Sequence, residues 1–213
     1  MLDNTISSIY AEALTKEAEK LFPQFRLFKE FYLAGGTALA LQIGHRLSID
    51  FDFFSQDPLS SNPLAKVKHV FASSSIIVTY RAPEQLNALI DGVKVTLFHY
   101  NYPVIDDFVM YREVPLASIR EIAAMKAFSI GKRLSYKDYI DWYFLLKKKY
   151  IDLPDAITHA KKKFGGDFND RLFWDSLFLL KIFLRKKIYF LRDEVDWETV
   201  QNFLKETVRN FKF

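Results

Sequence analysis

Apolar and polar positions change their period several times along the chain, and each change marks an element. Ile6, Tyr10, Ala13, Leu14, Ala18 and Leu21 recur at helical spacing, which predicts an amphipathic helix over residues 7–22, ended by Pro23. The apolar run 31–34 reads as a strand broken by Gly35 and Gly36. Thr37 is placed to cap a short helix over 38–43, and Gly44 to stop it. Residues 48–54 read as a second strand. Two-residue alternation puts Ser48, Asp50 and Asp52 on one face and turns Ile49, Phe51 and Phe53 toward a core. Turn chemistry at Asp57-Pro58 and in 60–63 leads to a helix over 64–71. A strand over 75–80 follows. Two more, 87–90 and 93–100, flank Asp91-Gly92 as a hairpin. Residues 101–115 read as a connection.

Beyond a soft boundary near 115 the period is helical throughout. Ser118 stands three residues before Glu121 in the form of a capping box. Ile119, Ile122, Ala123, Ala127 and Ile130 make an apolar stripe, and Lys126 falls inside it. A lysine there must snorkel, pair or meet an anion. After a basic turn at 131–136, a second helix over 137–146 carries Asp138 and Asp141 on one face. An apolar helix over 172–190 and an amphipathic one over 197–211 complete the chain. The fold class this predicts is α/β (α+β). Residues 1–115 would form a core with a small mixed sheet flanked by helices, and residues 116–213 a basic helical domain.

Composition narrows the class. Half of the 213 residues are hydrophobic and 21 are Phe, so the chain has the material for a sizeable core. There is no cysteine, which excludes a disulfide framework and thiolate metal sites and fits a reducing, cytoplasmic setting. The first twenty residues lack the pattern of a signal peptide, and no run is apolar enough for a membrane span. The net charge of +4 is uneven: −3 over residues 1–115 and +7 over 116–213. A basic half of this kind suits a nucleic-acid partner, or is a solvated lysine-rich surface.

Two carboxylates on one strand face repel each other unless a cation lies between them. Such oxygen ligands suit Mg²⁺, which takes one or two carboxylates together with substrate phosphates. Glycines let backbone N–H groups approach phosphate oxygens, and a helix N-terminus adds a favourable dipole. The four histidines show no metal-ligand spacing. His45 is either a phosphate-positioning residue or a plain turn histidine. Ser48 shares the Asp50 and Asp52 face, so phosphorylation there would be expected to block metal binding.

Gly35-Gly36, thirteen intervening residues, then Asp50-Phe51-Asp52 resembles the nucleotidyltransferase signature of the DNA polymerase beta superfamily. The fuller string, with GGTALAL, GHRLS and DFDFF, resembles the AbiEii/AbiGii toxin family within it. The stretch from Glu121 through Lys126, Lys132-Arg133, Asp138 and Asp141 is similar to that family's later motifs. The resemblance implies a nucleotidyltransferase fold and an enzyme of a toxin–antitoxin or phage-defence system. Such an enzyme transfers a nucleotide from a nucleoside triphosphate to an acceptor with Mg²⁺ or Mn²⁺. The acceptor it points to is RNA, with the 3′ end of tRNA the first candidate, and a cognate antitoxin is an expected partner.

By the same resemblance Gly35, Gly36, Thr37, His45, Arg46, Ser48 and Lys126 bind nucleotide, and Asp50 and Asp52 bind metal. Asp138 is the acidic catalytic partner, with Asp141 the second choice. One departure stands out: the superfamily's third strand carboxylate is absent, and Thr96 stands about where it would be. A degenerate fold that binds nucleotide or RNA without turnover is therefore an alternative. So is a transferase acting on a small molecule or protein.

Overall fold

A computed structural model describes residues 9–133, 135–180 and 187–211. The chain divides into two compact units. One comprises residues 1–103 with 107–118, the other 104–106 with 119–213.

The first unit is built on a seven-stranded mixed sheet. Its strands are β1 (Tyr32–Ala34), β2 (Phe51–Ser55), β3 (Ile76–Ala82), β4 (Gln85–Ile90), β5 (Val93–His99), β6 (Val109–Tyr111) and β7 (Val114–Leu116), in the order β3-β4-β5-β2-β1-β7-β6. β2 runs antiparallel to β1 and parallel to β5, and β7 runs parallel to β1. The hairpins β3–β4, β4–β5 and β6–β7 are antiparallel. At the β4–β5 turn Asp91 and Gly92 both take positive φ, as the Asp-Gly pair predicts.

One face of this sheet carries the core. Phe51 and Phe53 of β2, Val95 and Leu97 of β5, and Leu86 and Ala88 of β4 are all buried. They meet a packed set of rings in which Phe25 lies 4.6 Å from Phe53, 4.7 Å from Phe51 and 5.3 Å from Phe71. Each fully buried Phe contributes roughly 1.5–3 kcal/mol of transfer free energy, so this ring cluster is a main source of the unit's stability.

The second unit is helical: α4 (Ile119–Ile130), α5 (Tyr136–Lys147), α6 (Leu153–Phe164), α7 (Asp170–Leu179) and α8 (Trp197–Asn210). The earlier helices α1 (Lys16–Leu21), α2 (Gly35–Ile43) and α3 (Pro63–Val70) belong to the first unit. Asp152, Asn169 and Asp196 cap α6, α7 and α8 through their side chains.

Several expectations need correction. The helix expected over 7–22 is not continuous: a 3-10 turn (Ala11–Ala13) is followed by α1, capped by Thr15, while residues 1–8 lie outside the described residues. Leu14, between them, pairs with Ser48 in an isolated bridge, which helix geometry would forbid. Thr37 is not an N-cap. The helix begins two residues earlier, at Gly35, with Ala34 at the cap position. β2 begins at Phe51, so Ser48 and Asp50 precede it, and Ile49 is exposed rather than core-facing. The expected connection 101–115 contains β6 and the start of β7. The helix expected over 172–190 ends at Leu179, where Leu180 turns left-handed with φ 47°; residues 181–186 lie outside the described residues.

Candidate active site

In the first unit the candidate residues gather where β1 ends and α2 begins. Ala34, the last residue of β1, is the register partner of Asp52 on β2. The next residue, Gly35, turns with φ 68°, and a Cβ there would lie 3.1 Å from Asp52 Oδ2. The left-handed φ favours glycine here, and the missing side chain lets the first turn of the helix approach the carboxylate without displacing it. Ala34, at the cap position, makes no side-chain cap bond to α2, whose first backbone N–H groups lie at the positive end of the helix dipole.

Gly36 serves a different neighbour. A Cβ on it would sit 2.6 Å from an Arg46 Nη2 and 3.7 Å from Ser48 Oγ. The Arg46 guanidinium is thus held against the N-terminal turn of α2, 2% exposed, with Nη1 donating to the Leu47 carbonyl at 3.1 Å. A cation beside the positive end of a helix is an arrangement that an incoming anion stabilises.

Thr37 fixes the loop carrying Asp50. Its hydroxyl donates to the Asp50 carbonyl and shares a 2.7 Å hydrogen bond with the Ser48 hydroxyl. Ser48 N–H in turn donates to Ala13 O at 2.8 Å. Thr37, His45 and Ser48 are buried, whereas Asp50 and Asp52 are half-buried. Phosphorylation of Ser48 therefore requires this loop to open, since the hydroxyl is both covered and engaged.

Across the sheet from Asp52, the register partner on β5 is Thr96. The position where a third strand carboxylate is expected by resemblance thus holds a hydroxyl beside Asp52. Among the described residues no group of three His, Asp or Glu side chains is placed to hold a metal ion. The carboxylate of Asp52 beside the first turn of α2, with that of Asp50 two residues earlier, is the oxygen-donor chemistry that a divalent cation takes together with triphosphate oxygens.

The second unit holds a separate ionic cluster. Lys126 on α4 is buried, and its Nζ lies 2.7 Å from Asp138 Oδ1 and 2.6 Å from Asp141 Oδ2, both on α5. The spacing of three between the aspartates turns them to the same lysine. Arg133 adds a bidentate contact to Asp138, Nε at 3.0 Å and Nη2 at 3.2 Å, from a side chain 62% exposed. Burial works against the Lys126 ammonium, but Asp138 and Asp141 outweigh it and hold its pKa above the usual lysine value. Burial likewise opposes ionisation of Asp138, and Lys126 with Arg133 overcomes it, so its pKa lies below the usual range. Next to it, burial and then the Asp138 charge push the Tyr139 phenol up to about 12.

Sequence reasoning missed a second buried pair in this unit. Lys163 Nζ lies 2.5 Å from Glu121 Oε1, and neither side chain is exposed; Glu121 Oε2 accepts from Ile105 N–H at 3.0 Å. Burial lowers the Lys163 pKa despite that partner. In the sequence Glu121 looks like a capping residue and Lys163 like the end of a solvated charge run.

The arrangement of glycine turn, helix N-terminus and strand carboxylate is the one expected of a nucleotidyltransferase, and the comparisons place the chain in that class. The profile of the nucleotidyl transferase AbiEii toxin family, a type IV toxin–antitoxin system, matches residues 19–89 and 96–211. The chain belongs to that family. It is 31% identical over 207 residues to the uncharacterized protein aq_aa25 of Aquifex aeolicus (strain VF5), covering 92% of this chain and 95% of that one. Among solved structures, it is similar to a nucleotidyltransferase candidate from H. pylori, with TM-score 0.59, 19% identity, and 92% and 94% of the two chains covered. It is also similar to MenT4, a nucleotidyltransferase toxin of Mycobacterium tuberculosis H37Rv, with TM-score 0.56, 14% identity, and 91% and 82% covered. These likenesses establish the nucleotidyltransferase fold for the mixed α/β chain. Among the described residues no helix is long and apolar enough to cross a membrane.

Proposed function

We propose that this toxin-family nucleotidyltransferase moves a nucleotidyl group from a nucleoside triphosphate to a hydroxyl of RNA, with tRNA 3′ ends the first candidates. The observation that carries this reading is the corner formed by the uncapped α2 N-terminus, the Arg46 guanidinium against Gly36, and Asp52 against Gly35. It joins an anion cradle to a cation ligand within one turn of helix. Gly35, Gly36 and Thr37 offer backbone N–H groups to phosphate oxygens, and Arg46 adds charge. Asp50 and Asp52 would hold Mg²⁺ (or Mn²⁺), which when bound supplies charge neutralisation at the triphosphate.

The reaction is an in-line displacement. The acceptor oxygen forms a bond to the α-phosphorus, the bond from that phosphorus to the α,β-bridging oxygen breaks, and that oxygen leaves as part of pyrophosphate. Asp138 takes the acceptor proton or orients the hydroxyl, as the family resemblance implies, with Asp141 the second choice. Lys126 is engaged by both carboxylates, so we assign it a positioning role: it holds two neighbouring buried acids in place and keeps Asp138 ionised. Phosphate neutralisation, expected of Lys126 from the resemblance, also suits the Arg46 guanidinium held against the first turn of α2. A cytoplasmic enzyme paired with an antitoxin fits this activity.

The test is transfer of label from each α-labelled triphosphate, with and without total tRNA, for wild type and Asp50→Asn. Label in RNA that disappears in the variant supports the reading. Equal label without RNA, on protein or a small molecule, replaces the acceptor. The absence of a third strand carboxylate, with Thr96 beside Asp52, favours the second reading: nucleotide binding without turnover. It predicts magnesium-dependent triphosphate binding and no label in any product.

A further inference from the structure

The sheet face opposite the phenylalanine core holds two adjacent rows of different character. The register partners Asp52, Thr96 and Asn87 form a polar row across β2, β5 and β4. One step along, Phe54, Phe98 and Gln85 form the next row on the same face. The rings continue into the loop after β5. Phe54 lies 5.9 Å from Phe98 and 5.3 Å from Tyr100, and Phe98 lies 6.0 Å from Tyr100. Phe54, Phe98 and Tyr100 are half-buried, unlike the sealed rings on the opposite face. The two amides at the end of the rows touch, with Gln85 Nε2 donating to Asn87 Oδ1 at 2.9 Å, and both are half-buried.

Flat rings give sequence-tolerant stacking, amides give edge recognition, and neighbouring strands are about 4.8 Å apart. Asn87 is two strands from Asp52, so this surface lies roughly 10 Å from the metal-ligand candidate, the distance from a reacting phosphate to a base. We propose that Phe98 and Tyr100 stack a nucleobase on the Asp52 face and that Gln85 and Asn87 read its edge. This rests on the nucleotidyltransferase reading and adds to it a base-specificity site on β4 and β5. The chemistry is that of a nucleobase, belonging either to the donor triphosphate or to the acceptor strand.

Photolabelling tests this without requiring turnover. The full chain is irradiated with 5-iodouridine triphosphate in one arm and a 5-iodouridine-substituted single-stranded oligoribonucleotide in the other, and adducts are mapped by mass spectrometry. The expected adducts fall in the tryptic segment 95–112, which holds Phe98 and Tyr100. Labelling by the oligonucleotide alone assigns the site to the acceptor base, and labelling by the triphosphate alone to the donor base. The double variant Phe98→Leu/Tyr100→Leu keeps apolar bulk, and it should lose about 10-fold or more in affinity for the labelling probe while melting cooperatively. Gln85→Ala should leave the adduct in place and change the preference among bases.

Adducts only outside 82–112, or none, overturn the proposal. So does a folded double variant with wild-type affinity for both probes. Labelling of Phe98 or Tyr100 by a protein that transfers nothing sinks the reaction but keeps the base site. Transfer with unchanged KM for both substrates in the double variant does the reverse.

Discussion

At the scale of single residues, two glycines and one lysine make separable predictions. A methyl group at Gly36 would meet the Arg46 Nη2 at 2.6 Å, the far end of a flexible side chain. The guanidinium can yield, so Gly36→Ala should cost little stability, about 1 kcal/mol, while lowering triphosphate affinity about 10-fold or more. Urea melts and nucleotide titration of the same preparation separate the two effects. Lys126→Met leaves Asp138 and Asp141 buried without their shared cation, which should cost about 3–5 kcal/mol in urea unfolding.

The pH dependence follows from Asp138, whose folded pKa is lowered. Its stabilising contribution is fully present above the unfolded carboxylate value of about 3.9 and is lost as pH falls through the still lower folded value. Lys126, with a raised folded pKa, contributes fully below the ordinary lysine value of about 10.4 and loses that contribution only at higher pH. The cluster should therefore be indifferent to pH across the neutral range, and wild type and Lys126→Met should converge in strong acid. Much of this was legible in the sequence. A lysine inside an apolar stripe had to snorkel, pair or meet an anion, and Asp138 and Asp141 shared a face; that these two acids are its partners was not read from the sequence. The Glu121–Lys163 pair was not legible, because 42 positions separate the partners and each has an ordinary local explanation.

At the scale of elements, periodicity succeeded where one face is buried and failed where an element is short or half-exposed. β2, β4 and β5 announced themselves through alternation and an Asp-Gly turn. The β6–β7 hairpin did not: its turn is Arg112-Glu113, two residues that rarely take positive φ and carry no turn signature. The start of α2 was misplaced because threonine is the better capping residue, yet here the glycines enter the helix. That shift matters for function, since it leaves the first N–H groups uncapped beside Asp52. The C-terminal end of α2 behaves as expected. Gly44 holds φ 61°, and a Cβ there would press within 2.6–2.9 Å of the Tyr10 ring. Gly44→Ala should therefore cost more than Gly36→Ala, about 1–3 kcal/mol, from left-handed strain and a clash with an aromatic ring. A comparison of the two melting temperatures checks that order.

For the molecule as a whole, charge is the deciding quantity. With −3 over residues 1–115 and +7 over residues 116–213, the helical part is the half suited to the polyanionic acceptor proposed above. RNA retention should fall steeply between about 50 and 200 mM salt, whereas triphosphate binding at the α2 corner should respond far less. A small-molecule or protein acceptor would show no such slope. The family assignment fixes the reaction class, but the acceptor rests on this asymmetry. That is why the sequence, which carries the phosphate and metal motif within some twenty residues, says less about what receives the nucleotide.

The most direct test of the central claim is a label balance on one reaction. The acceptor and released products are followed with α-labelled and γ-labelled triphosphate in parallel, for wild type and Asp52→Asn. The account predicts α-label in the acceptor, γ-label released as pyrophosphate, and neither in the variant. Label from the γ-position in the acceptor, or transfer that survives Asp52→Asn, would contradict it.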